Sequence, residues 1–171
     1  MSAVPTAARP ASSARAAHPA LAASLAEFAH GLRLDAVTAP AAGHAAALLL
    51  DAVGCALAGW AAEETPHVLR TARRLGDAGE STIIGDAAPA SLIGSVLANA
   101  YLTTAITACD VYTPAHCHLT PEVVPAALAV AELEHASGPE LLTAVTAGLE
   151  VASRLLRAID YNEFRLSLIH I

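Results

Sequence analysis

The chain has 171 residues, enough for one domain with a real core and too few for two comfortable ones. Hydrophobic residues make up 55%, charged residues 15% and aromatics 4%, so the interior must be built from Ala, Leu and Val, a composition that favours close-packed helices over sheets. The formal net charge is -7 and all nine basic residues are arginines; without lysine or a basic stripe the chain is a poor match for phosphate backbones, and nucleic acid is excluded as a partner.

Residues 1–18, "MSAVPTAARPASSARAAH", combine Ala, Ser, Pro and Arg with no carboxylate and no apolar helical face. The composition is that of a disordered tail. Leu21, Leu25, Phe28 and Leu32 then recur at helical spacing and predict a first helix over 19–32. Residues 41–60 predict a second. Its core, "AAALLLDAVGCALAGWAA", has the length of a membrane span, but it is mostly Ala and Gly, and Asp51 near its middle would cost about 3 kcal/mol in lipid. The expectation is a core helix with no membrane partner, in which Asp51 is a buried polar group bonded to a neighbouring helix and Cys55 and Trp60 fill the interior.

A third helix is predicted over 66–75, with Arg70, Arg73 and Arg74 in its later turns, where cations suit the helix dipole, and a stop at Gly76. "GDAGESTIIGDAAP" is turn-rich around one strand-like piece, 81–84. A fourth helix is expected over 89–109, with Ile93, Leu97, Tyr101 and Ala105 on one face. Pro114 breaks the pattern. The fifth helix begins with Thr120 as N-cap, Pro121 at the first helical position and Glu122 in the first turn. "SGPE" then opens a sixth, with Ser137 and Glu140 at capping-box spacing, and Glu150 can pair with Arg154 one turn on.

The fold class expected is all-α, a compact bundle of about six helices over 19–165. The last six residues, "LSLIHI", match what one reading frame of a common transposon-end sequencing adapter encodes. On that basis residues 166–171 are an artefact and the domain is truncated. Three cysteines without framework spacing, and no signal peptide, point to reduced thiols and a cytoplasmic location.

The chemistry concentrates in "CDVYTPAHCHLTPEVVPAALAVAE", 109–132. Cys109, His116, Cys117 and His118 include zinc-ligand types, yet the paired short spacings of a structural site are missing, so no metal or other cofactor is expected. Acid/base work is the sharper alternative. Partial negative charge at a helix C-terminus favours a carboxyl group that holds its proton, and partial positive charge at an N-terminus favours a neutral imidazole. With Asp110 ending the fourth helix and His118 preceding the fifth, the two suit proton abstraction and return beside a carboxylate. The simpler alternative is that Asp110 and His118 pair with each other, or with loop amides, and hold a helix junction together.

The order of "LLLDAVGCALAG" (48–59), "STIIGD" (81–86), "LANAYLTTAITACDVYTPAHCHLTPEVVPAALAVAE" (97–132) and "ASGPELLTAVTAGLEVASRL" (136–155) resembles the MmgE/PrpD family. That family includes 2-methylcitrate dehydratase and cis-aconitate decarboxylase. The resemblance spans about residues 20 to 160 and implies the helical first domain of a two-domain, metal-independent lyase that works as a homodimer on a small carboxylate substrate. It also implies that Asn99 holds the family's Asn position, Asp110 the last member of its aspartate cluster and His118 its loop histidine. The chain departs from the pattern at Thr104, where the family has its first histidine, and at Thr107 and Cys109, where it has acids. A thiol or hydroxyl does not replace a carboxylate as a proton acceptor near neutral pH. Two functions are therefore carried forward: a lyase using His118 and Asp110, and a catalytically silent helical module for oligomerisation or binding.

Overall fold

Small side chains decide which face of each helix is buried. In the computed structural model, which describes residues 18–76 and 79–159, six helices follow one another: α1 (His18–Gly31), α2 (Ala39–Gly59), α3 (Thr65–Ala72), α4 (Leu92–Thr104), α5 (Thr120–Leu133) and α6 (Gly138–Arg157). A short 3-10 turn, Leu34–Ala36, joins α1 to α2. The tail expected over 1–18 lies outside the described residues apart from His18, which opens α1; the segment 166–171 lies outside them as well. The architecture is the all-α bundle expected from composition.

α2 and α4 pack together at the centre, with α3 on α4, α5 against α4, and α6 against α5 and α2. Ala45, Ala52, Cys55, Ala56 and Gly59 form the buried stripe of α2. A Cβ at Gly59 would overlap the main-chain carbonyl of Leu102, so the two helix backbones touch there and glycine is required. One apolar cluster joins Ala56, Ala72, Ile83, Ala90, Ala98 and Leu102; a second joins Ala52, Val124 and Val145. Among the described residues α2 is the one helix long and apolar enough to cross a membrane by length and composition.

Four local expectations are corrected. Asp51 is exposed, because the buried stripe follows the alanines and leaves it on the flank; its carboxylate faces Cys55 Sγ of its own helix at 3.9 Å. Trp60 lies at the surface, 36% exposed, and its indole Nε1 donates to the carbonyl of Ile84 at 2.8 Å. The fourth helix stops at Thr104 instead of Cys109. Thr103 and Thr104 turn their hydroxyls back onto carbonyls of Asn99 and of Ala100 and Tyr101, and Thr107 takes a positive φ of 53°, which no α-helix continues through. Thr120 is the first helical residue of α5, with Leu119 at the N-cap position, so the cap comes from elsewhere.

Among the described residues the strand-like piece 81–84 finds no strand partner. Ser81 makes a single antiparallel bridge to Ala90, and Ile83 is fully buried. The Thr82 amide donates to Glu132 Oε2 at 2.7 Å and the Ile83 carbonyl accepts from the Asp86 amide at 2.9 Å, while Asn99 of α4 meets two further backbone groups. Its Oδ1 accepts from the Ile84 amide at 2.8 Å and its Nδ2 donates to the Thr82 carbonyl at 2.9 Å. A buried amide with both ends used serves here as a short stand-in for a neighbouring strand.

Candidate functional site

Residues 105–119 leave α4, turn over α6 and enter α5. Pro114 starts the turn, the Tyr112 amide donates to the Cys117 carbonyl at 2.7 Å, and His116 takes a positive φ of 48°. This folds the loop back so that Cys109 and Asp110 meet His118 and the start of α5.

Asp110 thus sits in the loop and not at the end of a helix, which removes the helix-terminal field expected to act on it. Its carboxylate accepts from the Leu119 amide at 3.0 Å, from the Thr120 amide at 2.9 Å and from the Thr120 hydroxyl. All three are donors at the start of α5, from its N-cap residue and its first helical residue, so the side chain caps that helix from ten residues upstream.

His118 is held from the same residue by a different atom. Its Nδ1 lies 2.6 Å from the main-chain carbonyl of Asp110. A carbonyl only accepts, so Nδ1 carries the hydrogen and Nε2 of the neutral ring is an acceptor. The imidazole and the Asp110 carboxylate therefore do not bond to each other; each is tied to backbone. His118 is exposed and lines a cavity of about 520 Å³ with Cys117, Leu119, Glu122 and the α6 residues Ala152, Leu155 and Leu156. Asp110 lines a separate one of about 440 Å³, which also takes in His44, Tyr112, Glu150 and Ser153. A larger cavity of about 820 Å³ between α5 and α6 is lined by neither.

Sequence reasoning missed Cys109 as a neighbour of His118. Its Sγ lies 3.4 Å from Nδ1, a contact created by the fold-back of the loop, which spacing along the chain does not reveal. Burial, followed by the charge of Asp110, pushes the Cys109 thiol up from its usual range, and burial with Asp51 does the same for Cys55. At neutral pH Cys109 is a thiol, so the contact is not the thiolate–imidazolium pair of a cysteine nucleophile.

The other expected positions have local partners. Asn99 is buried and fully bonded, Thr104 bonds within α4, and Thr107 is exposed. Glu150 and Arg154 form the predicted ion pair across one turn, with the Arg154 guanidinium stacked 5.8 Å over the Phe28 ring of α1. Among the described residues, no three His, Cys, Asp or Glu side chains gather as a metal-binding set.

Comparison with curated proteins and with solved structures gave no match. The family model for the MmgE/PrpD N-terminal domain matches residues 23–171, the stretch that carries all six helices but the first turn of α1, together with the loop that holds Asp110 and His118. The chain belongs to the MmgE/PrpD N-terminal domain family.

Proposed function

We propose that the chain is the N-terminal part of a metal-independent lyase of the dehydratase or decarboxylase type, one that takes an α-proton from a small carboxylate substrate and eliminates water or carbon dioxide. Membership of the MmgE/PrpD N-terminal family fits a dehydratase-like enzyme. The observation that supports the site is the 2.6 Å hydrogen bond from His118 Nδ1 to the Asp110 carbonyl. It fixes the tautomer that leaves Nε2 as the proton acceptor, which is what a general base needs. Asp110 acts as the partner that holds this histidine, through its carbonyl and through the α5 cap. The complete enzyme works as a homodimer in the cytoplasm.

The test is turnover of 2-methylcitrate, cis-aconitate and related acids by the full-length protein and by His118→Ala. The substitution is expected to lower kcat by about 10²–10⁴-fold. Undiminished turnover would remove His118 from the mechanism.

A second reading, a catalytically silent module for oligomerisation or binding, is favoured by one observation: the Asp110 carboxylate is wholly engaged by the α5 terminus while Thr107 and Cys109 supply no acid in its place. It is distinguished by a well-folded full-length protein that turns over no small polycarboxylate.

A further inference from the structure

His118 is exposed, yet one edge of its ring is held from inside the loop. Nδ1 meets two atoms contributed by consecutive residues, the Asp110 carbonyl oxygen at 2.6 Å and Cys109 Sγ at 3.4 Å. The carbonyl only accepts, so Nδ1 supplies the hydrogen, and the sulfur faces it as a second, weaker acceptor. Both contacts come from a segment that is itself anchored. The Asp110 carboxylate is tied to the Leu119 and Thr120 amides at 3.0 and 2.9 Å, and Cys109 beside it is buried, 6% exposed. Cys109 does not reach the cavity of about 520 Å³ that His118 lines; it stands behind the imidazole.

We propose that Cys109 is a positioning residue for His118, its sulfur joining the Asp110 carbonyl to hold the Nδ1 edge of the ring inside the loop and turn Nε2 toward the cavity. A single hydrogen bond to the carbonyl leaves an exposed ring free to swing about the N–H···O line. The buried sulfur removes that freedom. The inference rests on the lyase reading above, in which Nε2 takes the α-proton. Nδ1 carries its hydrogen before and after that transfer, so neither contact has to rearrange when the imidazole becomes an imidazolium. Burial, followed by the charge of Asp110, keeps Cys109 a thiol at neutral pH, so the atom behind the ring is uncharged. It orients the base without forming an ion pair with it.

Cys55 offers an internal comparison. It is likewise a buried thiol whose pKa is raised by burial, but it faces Asp51 of its own helix at 3.9 Å.

The experiment uses the full-length protein with isotopically labelled histidine and compares wild type, Cys109→Ala, Cys109→Ser and Cys55→Ala. Ring-nitrogen resonances are read with the imidazole neutral, when protonated and bare nitrogens are well separated. The His118 signals are those lost in His118→Ala. Wild type and Cys55→Ala are expected to show one tautomer, with the hydrogen on Nδ1. In Cys109→Ala the Nδ1 signal is expected to shift and broaden as the ring samples other orientations, and kcat on 2-methylcitrate to fall about tenfold with KM within about threefold. Cys109→Ser, whose hydroxyl oxygen is again an acceptor, is expected to recover part of both. Should Cys109→Ala not fold, the intermediate shift expected in Cys109→Ser decides the same question. Nitrogen signals and kcat in Cys109→Ala that match wild type overturn the proposal, as does a wild type with the hydrogen on Nε2. An equal change in Cys55→Ala also overturns it, because loss of a buried thiol would then be the cause. A wild type that turns over no small carboxylic acid, with His118 signals that respond to Cys109→Ala alone, overturns the lyase reading and keeps Cys109 as the residue that positions the ring.

Discussion

Cys109 and Cys55 differ from surface thiols because each loses water on folding and faces a carboxylate, Asp110 for the first and Asp51 for the second. Their folded-state pKa values are raised above those of the unfolded chain, so the unfolded chain ionises first as pH rises. Stability is fully present below about pH 8.5 and is lost as the pH climbs toward the raised folded values. Urea midpoints measured from neutral to alkaline pH should therefore fall, and the fall should flatten in a Cys55→Ala/Cys109→Ala double variant. An unchanged slope in that variant would mean that other groups carry the effect. Asp86 moves the other way: the Ala88 amide, and then the Arg73 guanidinium, hold its carboxyl below the usual range and secure the turn after 81–84. None of these shifts is visible in the residue string, since each needs the burial or the partner that folding supplies.

At the level of elements, the two helix starts at α5 and α6 show what local sequence can and cannot disclose. Ser137 and Glu140 are three residues apart, and the capping box forms as expected: the Ser137 amide and hydroxyl both donate to Glu140 Oε2, at 2.7 and 2.6 Å. α5 lacks such a local cap. Its Thr120, a good N-cap type, becomes the first helical residue because Asp110 reaches its amide and hydroxyl from across the loop. Asp110→Ala should therefore cost about 2 kcal/mol by chemical denaturation, the range of a lost cap with an amide left unpaired. A loss below about 0.5 kcal/mol, the range of ordinary surface changes, would show that the carboxylate does not carry this helix start. α4 ends at Thr104, short of the expected 109, for a related reason. Apolar periodicity runs on through Ala105 and Ile106, but the backbone leaves the helix where Thr103 and Thr104 bond backwards and Thr107 turns left-handed.

For the whole molecule, stability depends on how closely helices with alanine and glycine faces can approach. Gly59 packs against the Leu102 carbonyl, which joins α2 to α4 at the centre of the first core cluster. Gly59→Ala is expected to force these helices apart and to destabilise the bundle by about 2 kcal/mol, as overpacking does. A thermal melt unchanged from wild type would show that the crossing is looser. The same central pair sets the position of the candidate site, because α4 leads into the loop 105–119 while Ala41, His44, Ala45 and Leu48 of α2 line the cavity that Asp110 shares.

The sequence by itself determined the class and order of the fold: an aromatic-poor, Ala- and Leu-rich chain with helical periodicity and a recognisable series of motifs forms an all-α bundle of the MmgE/PrpD N-terminal type. It also singled out Asp110 and His118 as candidates, with a proton-transfer pair and a helix junction as the two readings. Tertiary structure alone decided what each does locally. The loop fold-back ties Asp110 to the α5 amides, gives His118 Nδ1 to a main-chain carbonyl, and brings Cys109 beside the imidazole, with Glu122 lining the same cavity as His118. Periodicity reports which face of a helix is apolar, a property of neighbours in sequence. Hydrogen-bond partners and shared cavities depend on the path of a loop through space, which residue spacing does not encode.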